Sequence, residues 1–218
     1  MLLYYITDRR SFAGNDADQH AALLRRIAEA ARSGIDFIQL REKDLQAAEI
    51  ELLAREAIHL IRENSATTKL LINTHADIAL AIGADGVHLP AGSPPASEVR
   101  ASWLHHTNRA PLIGVSAHSV ADVKQAESDG ANFAVLAPIF EKVDTGTKGI
   151  GLEVLREACA ESQIPVLALG GVNLINAPAC LDAGAAGIAG IRLYQHGDVS
   201  RTVNALREVV RQNTHPAN

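Results

Sequence analysis

Four copies of one short pattern, spaced at nearly constant intervals, constrain this chain more than any other feature. Gly34-Ile35-Asp36-Phe37-Ile38-Gln39-Leu40 is matched by Gly83-Ala84-Asp85-Gly86-Val87-His88-Leu89. Gly130-Ala131-Asn132-Phe133-Ala134-Val135-Leu136 and Gly184-Ala185-Ala186-Gly187-Ile188-Ala189-Gly190 repeat it, and the copies begin 49, 47 and 54 residues apart. Each copy predicts an amphipathic helix that ends at a glycine able to take positive φ, followed by a short strand. Leu23, Ile27, Ala30 and Ala31 precede Gly34 at helical spacing, and Val120, Val123, Ala126 and Glu127 precede Gly130 in the same way. The strands are almost wholly apolar, the signature of parallel strands covered on both faces.

Between the copies lie further strand candidates at Leu70-Leu71-Ile72-Asn73, Leu112-Ile113-Gly114-Val115 and Val166-Leu167-Ala168-Leu169. With Tyr4-Tyr5-Ile6-Thr7 at the start there are eight. Helical segments fall between them, most clearly from Glu49 to Arg62 and, over two turns, from Asp77 to Ile82. Eight alternating βα units predict a single (β/α)₈ TIM barrel. An open doubly wound sheet is the alternative, but no GxGxxG follows the first strand. The expected organisation is one barrel over residues 1–212 and a frayed tail over 213–218. A chain of 218 residues with 47% hydrophobic content suffices for one such core.

The net charge of -5 and the 4% aromatic content argue against nucleic acid or an anionic membrane as partner. No apolar run reaches membrane-spanning length. Cys159 and Cys180 lack metal or CxxC spacing and read as buried free thiols of a reducing compartment, so the expected location is cytoplasmic. Self-association into a homo-oligomer is left open.

Barrel active sites lie at the C-terminal strand ends. There the chain offers Thr7 and Asp8, then Gln39, Arg41, Glu42, Lys43 and Asp44, then Asn73, His88, Ser116 and His118, and finally Gly170-Gly171 and Gly190-Ile191. Arg41 and Lys43 share a direction and suit a phosphate or pyrophosphate, although the same run would also serve as a surface ion-pair cluster. The glycine pairs suit main-chain phosphate binding, with Asn173 capping the helix after strand seven. The loop 141–151 would close over a ligand, with Thr147 and Lys148 as its anion contacts. His118 is the candidate proton shuttle. His88, inside an apolar strand, reads as a hydrogen-bonded wall residue.

Taken in order, several of these stretches resemble the thiamine phosphate synthase/TenI superfamily. They are Tyr5-Ile6-Thr7-Asp8, Gln39-Leu40-Arg41-Glu42-Lys43, Asn73 with Ala76-Asp77-Ile78-Ala79-Leu80, and the copy ending at His88-Leu89. Gly114-Val115-Ser116-Ala117-His118-Ser119, Pro138-Ile139-Phe140, Thr147-Lys148 and Gly170-Gly171-Val172 complete the set, from about residue 4 to residue 191. The resemblance implies a barrel of thiamine biosynthesis. In its synthases a hydroxymethylpyrimidine pyrophosphate joins a thiazole phosphate and pyrophosphate leaves. Arg41, Lys43 and Lys148 would hold pyrophosphate, Asn73 and Ser116 the pyrimidine and pyrophosphate sides, and Gly171 with the backbone at Gly190 and Ile191 the thiazole phosphate; Gln39 and Gly170 join the substrate and phosphate sites by their position at the strand ends. Two departures stand out: the usual magnesium-binding Asp positions read Thr74 and Ser93, and hydroxyls are poor substitutes for carboxylates on that ion. Arg192 also departs from the small residues common there.

The leading expectation is therefore a metal-independent, TenI-like thiazole tautomerase with His118 as acid/base, Ser116 beside it, and no cofactor. The alternative is a Mg²⁺-dependent thiamine phosphate synthase. A third reading is a non-catalytic regulator that binds a phosphorylated thiazole.

Overall fold

The computed structural model describes residues 1–141 and 146–214, with side chains described as far as residue 209. Eight strands close into a parallel barrel in sequence order: β1 Leu2–Ile6, β2 Phe37–Leu40, β3 Lys69–Asn73, β4 Gly86–Leu89, β5 Leu112–Ala117, β6 Phe133–Leu136, β7 Val166–Ala168 and β8 Gly187–Gly190. β8 returns to β1 with Leu2 opposite Gly187 and Tyr5 opposite Gly190. The barrel is thus a single (β/α)₈ unit. Its outer layer holds α1 Asp16–Arg32, α2 Ala47–Asn64, α3 Ala76–Ala81, α4 Ala96–His106, α5 Val120–Ser128, α6 Gly151–Glu161, α7 Ala177–Asp182, α8 Arg192–Gln195 and α9 Val199–Thr214. The last helix includes Asn213 and Thr214, and the remainder of the expected tail, 215–218, lies outside the described residues. No helix among the described residues is long and apolar enough to cross a membrane.

Periodicity explains the helices. Leu23, Ile27, Ala30 and Ala31 of α1, and Ile50, Leu53, Ala57 and Ile61 of α2, are the buried stripes that lie on the barrel wall. A reciprocal capping box starts α1: Asp18 N–H donates to Asn15 Oδ1 at 3.0 Å and Asn15 N–H to Asp18 Oδ2 at 3.1 Å.

The repeat is a device for starting alternate strands. Its first glycine has positive φ in all four copies, +85° at Gly34, +69° at Gly83, +84° at Gly130 and +99° at Gly184. Two residues later the main-chain N–H bonds the carbonyl of the preceding strand: Asp36 to Leu3, Asp85 to Leu70, Asn132 to Ile113 and Ala186 to Val166. In three copies the side chain at that position also accepts the N–H of the same residue. Asp36 takes Leu3 N–H at 2.7 Å, Asp85 takes Leu70 N–H at 3.0 Å and Asn132 takes Ile113 N–H at 2.8 Å. Three arginines satisfy carbonyls at the helix ends: Arg207 on Gly34, Arg62 on Gly83 and Arg100 on Gly130.

The fourth position of the repeat fills the barrel. It reads Phe37, Gly86, Phe133 and Gly187 on the four even strands. Phe37 and Phe133 stack inside the barrel with centroids 5.2 Å apart, and Tyr4 meets both edge-on at 5.9 and 5.4 Å. The glycines answer to the neighbouring strands, since a Cβ at Gly86 would lie 1.8 Å from the Leu112 carbonyl oxygen and one at Gly187 2.1 Å from that of Leu2; room for the Phe133 ring comes from Gly114, whose Cβ would lie 2.3 Å from it.

Two glycines of one copy family therefore fail differently when replaced. Gly86→Ala should cost more than about 3 kcal/mol, since backbone must move. Gly34→Ala meets nothing within 4 Å and should cost only the left-handed penalty of about 1–2 kcal/mol. Urea unfolding of both variants measures the contrast. Equal losses would refute the packing argument.

Candidate active site

The even-strand layer above the aromatic plug turns polar on one side of the barrel. Two residues beyond Phe37 comes Gln39, and two beyond Gly86 comes His88. Both are buried. Gln39 Nε2 donates to the Tyr4 hydroxyl at 2.8 Å, Tyr4 Oη lies 3.1 Å from His88 Nδ1, and His88 Nε2 lies 2.9 Å from Ser116 Oγ. Burial, then the nearby Arg41 charge, push His88 down to about 3, so the ring is neutral. Burial likewise pushes the Tyr4 phenol far up. His88 is the hydrogen-bonded wall residue expected of it. The link from Gln39 through Tyr4 to Ser116 was not visible from sequence spacing, because its members come from four strands. Strand parity is the one signal that could have found it.

At the end of β2 the residues alternate in role. Glu42 is buried and accepts the Thr7 hydroxyl at 2.5 Å and the Arg9 N–H at 2.8 Å. Burial raises its carboxyl above the usual range. Asp44 accepts Arg9 Nη1 at 2.8 Å and Arg10 Nε at 2.7 Å. Neither acid pairs with its neighbours in sequence. Arg41 N–H is anchored on Thr7 Oγ1 at 2.9 Å, and among the described residues Arg41, Lys43 and Lys148 have no ion-pair partner. The run is not a self-neutralising surface cluster: Arg41 stays half-buried and Lys43 exposed, both with free charge.

Asn73 ends β3 and donates Nδ2–H to Thr74 Oγ1 at 3.0 Å. Thr74 has φ +68°, the one non-glycine residue in that region among the described residues. Ser93 and Ser116 line a cavity of about 230 Å³ between the loop after β4 and α5. His118 is exposed. Its Nδ1 donates to the Ala137 carbonyl at 2.7 Å and its N–H to Asp122 Oδ2 at 2.8 Å. The free ring nitrogen is therefore Nε2. His118 makes no hydrogen bond to Ser116.

A separate cavity of about 490 Å³ joins Gly170, Gly171, Gly190 and Ile191 with Glu141 and Arg192. The N–H groups of Gly171, Val172 and Ile191 make no hydrogen bond to main chain among the described residues. The glycines have a packing reason as well. A Cβ at Gly170 would lie 2.7 Å from Pro138, and one at Gly171 2.7 Å from Phe140 Cβ. The helix dipole adds little, because α7 has six residues and α8 four. Asn173 caps a turn ahead of α7, its Oδ1 accepting the N–H of Ile175 at 2.8 Å and of Asn176 at 3.2 Å. Thr147 and Lys148 are exposed on the loop after β6, and residues 142–145, including Asp144, lie outside the described residues.

The donor set does not build a carboxylate seat for Mg²⁺. Thr74 and Ser93 offer hydroxyls, Asp44 is held by two arginines, and no group of three or more His, Cys, Asp or Glu among the described residues could hold a metal ion.

Fold and mouth together define a (β/α)₈-barrel enzyme whose C-terminal face carries unpaired cations and open main-chain donors. The comparisons with known proteins narrow the class. The family described as thiamine monophosphate synthase matches residues 3–193, and the chain belongs to that family. It is 40% identical over 193 residues to "Putative thiamine-phosphate synthase 2" of Aquifex aeolicus, covering 88% of this chain and 96% of that protein. It is 37% identical over 191 residues to the thiamine-phosphate synthase of a Roseiflexus species, covering 86% and 75%. A solved thiamine phosphate pyrophosphorylase from Pyrococcus furiosus superposes with TM-score 0.78 at 30% identity, covering 97% of this chain and 96% of that one. These names place the chain in thiamine biosynthesis and favour the synthase over the tautomerase that the departures at Thr74 and Ser93 had put first.

Because His88 is neutral when folded and titrates near 6.5 when unfolded, its lowered value stabilises the protein above pH 6.5. That contribution is lost as pH falls toward 3. Between pH 6.5 and 4.5 the loss from this residue should be about 2–3 kcal/mol. His88→Gln should remove that slope, and urea titrations at both pH values compare it with wild type; an unchanged slope would show that His88 does not carry the effect.

Proposed function

We propose that the chain is a thiamine phosphate synthase, joining a hydroxymethylpyrimidine pyrophosphate to a thiazole phosphate and releasing pyrophosphate. The observation that carries this reading is the sorting of charge after β2, where Arg41 and Lys43 are unpaired while Glu42 and Asp44 are turned onto Thr7, Arg9 and Arg10. The relatives' names support it. In the reaction the bond from the pyrimidine methylene carbon to the pyrophosphate oxygen breaks, and its electron pair leaves on that oxygen. The thiazole nitrogen forms the new bond to carbon. Arg41, Lys43 and Lys148 would meet the negative charge that develops on the departing oxygen, with Ser116 as a hydroxyl partner. Gln39 and Asn73 face the pyrimidine side. Gly170, Gly171, Gly190 and Ile191 hold the thiazole phosphate through main-chain N–H groups, and Thr147 and Lys148 close the mouth. Mg²⁺ would be the cofactor of this reaction, adding to the charge that the chain's own cations supply. The enzyme acts in the cytoplasm.

A second reading has its own observation. His118 is fixed by Ala137 with Nε2 free, the arrangement wanted of an acid/base that takes a proton from one ring position and returns it at another. With hydroxyls at Thr74 and Ser93, this supports a cofactor-free, TenI-like tautomerase.

Incubation with the pyrimidine pyrophosphate, the thiazole phosphate and Mg²⁺, followed by oxidation and fluorescence, reads thiamine phosphate directly. Product is expected, and Arg41→Ala should lower kcat/KM at least about a hundredfold. No product would end the synthase reading. His118→Ala separates the two enzymes: synthase turnover should stay within a few fold, whereas tautomerisation would fall about 10²–10⁴-fold. Binding of the thiazole phosphate without either product would leave a regulator.

A further inference from the structure

The four-residue chain below the mouth has a direction that its donors and acceptors fix. Gln39 Nε2 has only protons to give, so at 2.8 Å it donates to the Tyr4 oxygen. Tyr4 must then place its own proton elsewhere. It is fully buried, and the other partner of its oxygen is His88 Nδ1 at 3.1 Å. A buried hydroxyl proton left without an acceptor would cost about 1–3 kcal/mol. Nδ1 is therefore the bare nitrogen, and a neutral imidazole then carries its proton on Nε2. Nε2–H donates to Ser116 Oγ at 2.9 Å. The ring is seated by its neighbours: a Cβ at Gly114 would lie 2.9 Å from Nδ1 and 2.3 Å from the Phe133 ring. Ser116 cannot return its proton to a nitrogen that already bears one, so the hydroxyl hydrogen turns away from the ring. Arg41 lies close enough for its charge to act on His88.

We propose that Tyr4 and His88 are positioning residues that make Ser116 an acceptor toward the ring, so that its own proton is available to an anionic ligand oxygen held beside Arg41. The relay keeps the Ser116 proton off the ring nitrogen, so a phosphoryl oxygen can take it without disturbing the other three members. The proposal rests on the mouth being an anion site, but not on which reaction follows.

The first test is ¹⁵N NMR of His88 in the wild-type protein. The expected result is a neutral ring with hydrogen on Nε2 and a bare Nδ1, unchanged from pH 5 to pH 8. Hydrogen on Nδ1, or an imidazolium within that range, overturns the proposal. The second test is calorimetric binding of inorganic pyrophosphate. Ser116→Ala and Tyr4→Phe should each weaken binding about tenfold, the loss of one charge-assisted hydrogen bond. The double variant should be no weaker than Ser116→Ala, because Tyr4 acts through Ser116. His88→Gln, which can offer an amide N–H in place of Nε2–H, should bind better than His88→Asn. Additive losses, no pyrophosphate binding by wild type, or equal His88 variants count against it. Product formed by an enzyme whose His88 carries hydrogen on Nδ1 sinks the relay alone. Hydrogen on Nε2 with no product from either reaction sinks the functional reading alone.

Discussion

The interior of an eight-stranded barrel is only wide enough for side chains to fill it, and here one stacked pair of phenylalanines decides how it is filled. Phe37 and Phe133 occupy the barrel between two strands that begin with glycine. Two large and two absent side chains in a four-strand layer fit a cross-section that four aromatics would overfill. Tyr4, edge-on to both rings, carries its hydroxyl upward from this plug. In the polar layer above it Gln39, His88 and Ser116 are connected through that hydroxyl. The apolar plug thus sets both the height of the site floor and the low-dielectric setting in which a short chain of hydrogen bonds has a fixed sense.

The strands and their order were legible because the signal is local. A glycine ending a helix, an Asp or Asn bonding the preceding strand and a run of β-compatible apolar residues sit within seven positions, and the copies recur at nearly equal spacing. The Phe, Gly, Phe, Gly alternation at the fourth position is equally visible in the sequence. Its meaning is not, because it needs closure: Phe37 and Phe133 meet only across the completed barrel. The Tyr4 to His88 contact spans 84 residues and has no local trace at all. Helix ends moved by a residue or two, and α8 and the short turn of helix at Arg9–Ser11 were not anticipated, being too short to show a period.

The site residues divide along the same line. Arg41 and Lys43 were recognisable from charge and position, but their freedom was not, since the competing partners Arg9 and Arg10 come from the end of another strand. Glu42 looked like one more charge in a polar run. In the barrel it is the residue that ties β1 to β2 through Thr7 and the Arg9 N–H, so that Arg41, bonded to the same Thr7 hydroxyl, is held at the mouth. The Gly170-Gly171 pair was read for phosphate. Its first physical reason is nearer: the chain leaving β6 at Pro138 and Phe140 presses against it, with Ile139 and Phe140 N–H groups bonded to Leu169 and Gly170 carbonyls. The loop bearing Thr147 and Lys148 is thereby rooted beside the cavity that the glycines line.

Thr74 shows how the mouth trades strain for orientation. A β-branched residue at φ +68° sits in a region that Asn and Asp tolerate better, and such residues cost on the order of 1–3 kcal/mol. Two bonds hold it there: its N–H donates to the His88 carbonyl at 2.9 Å and its hydroxyl accepts Asn73 Nδ2 at 3.0 Å. The second bond takes one of the two Asn73 amide N–H groups and holds the amide in place. Gln39 is arranged alike, its amide nitrogen taken by Tyr4. Two side-chain amides and one hydroxyl are thus held by neighbouring side chains before any ligand arrives. A carboxylate at position 74 would bring a charge to the same place; threonine keeps the bent backbone and turns the position to orienting Asn73, while Arg41, its N–H tied to Thr7, stays without an ion-pair partner among the described residues.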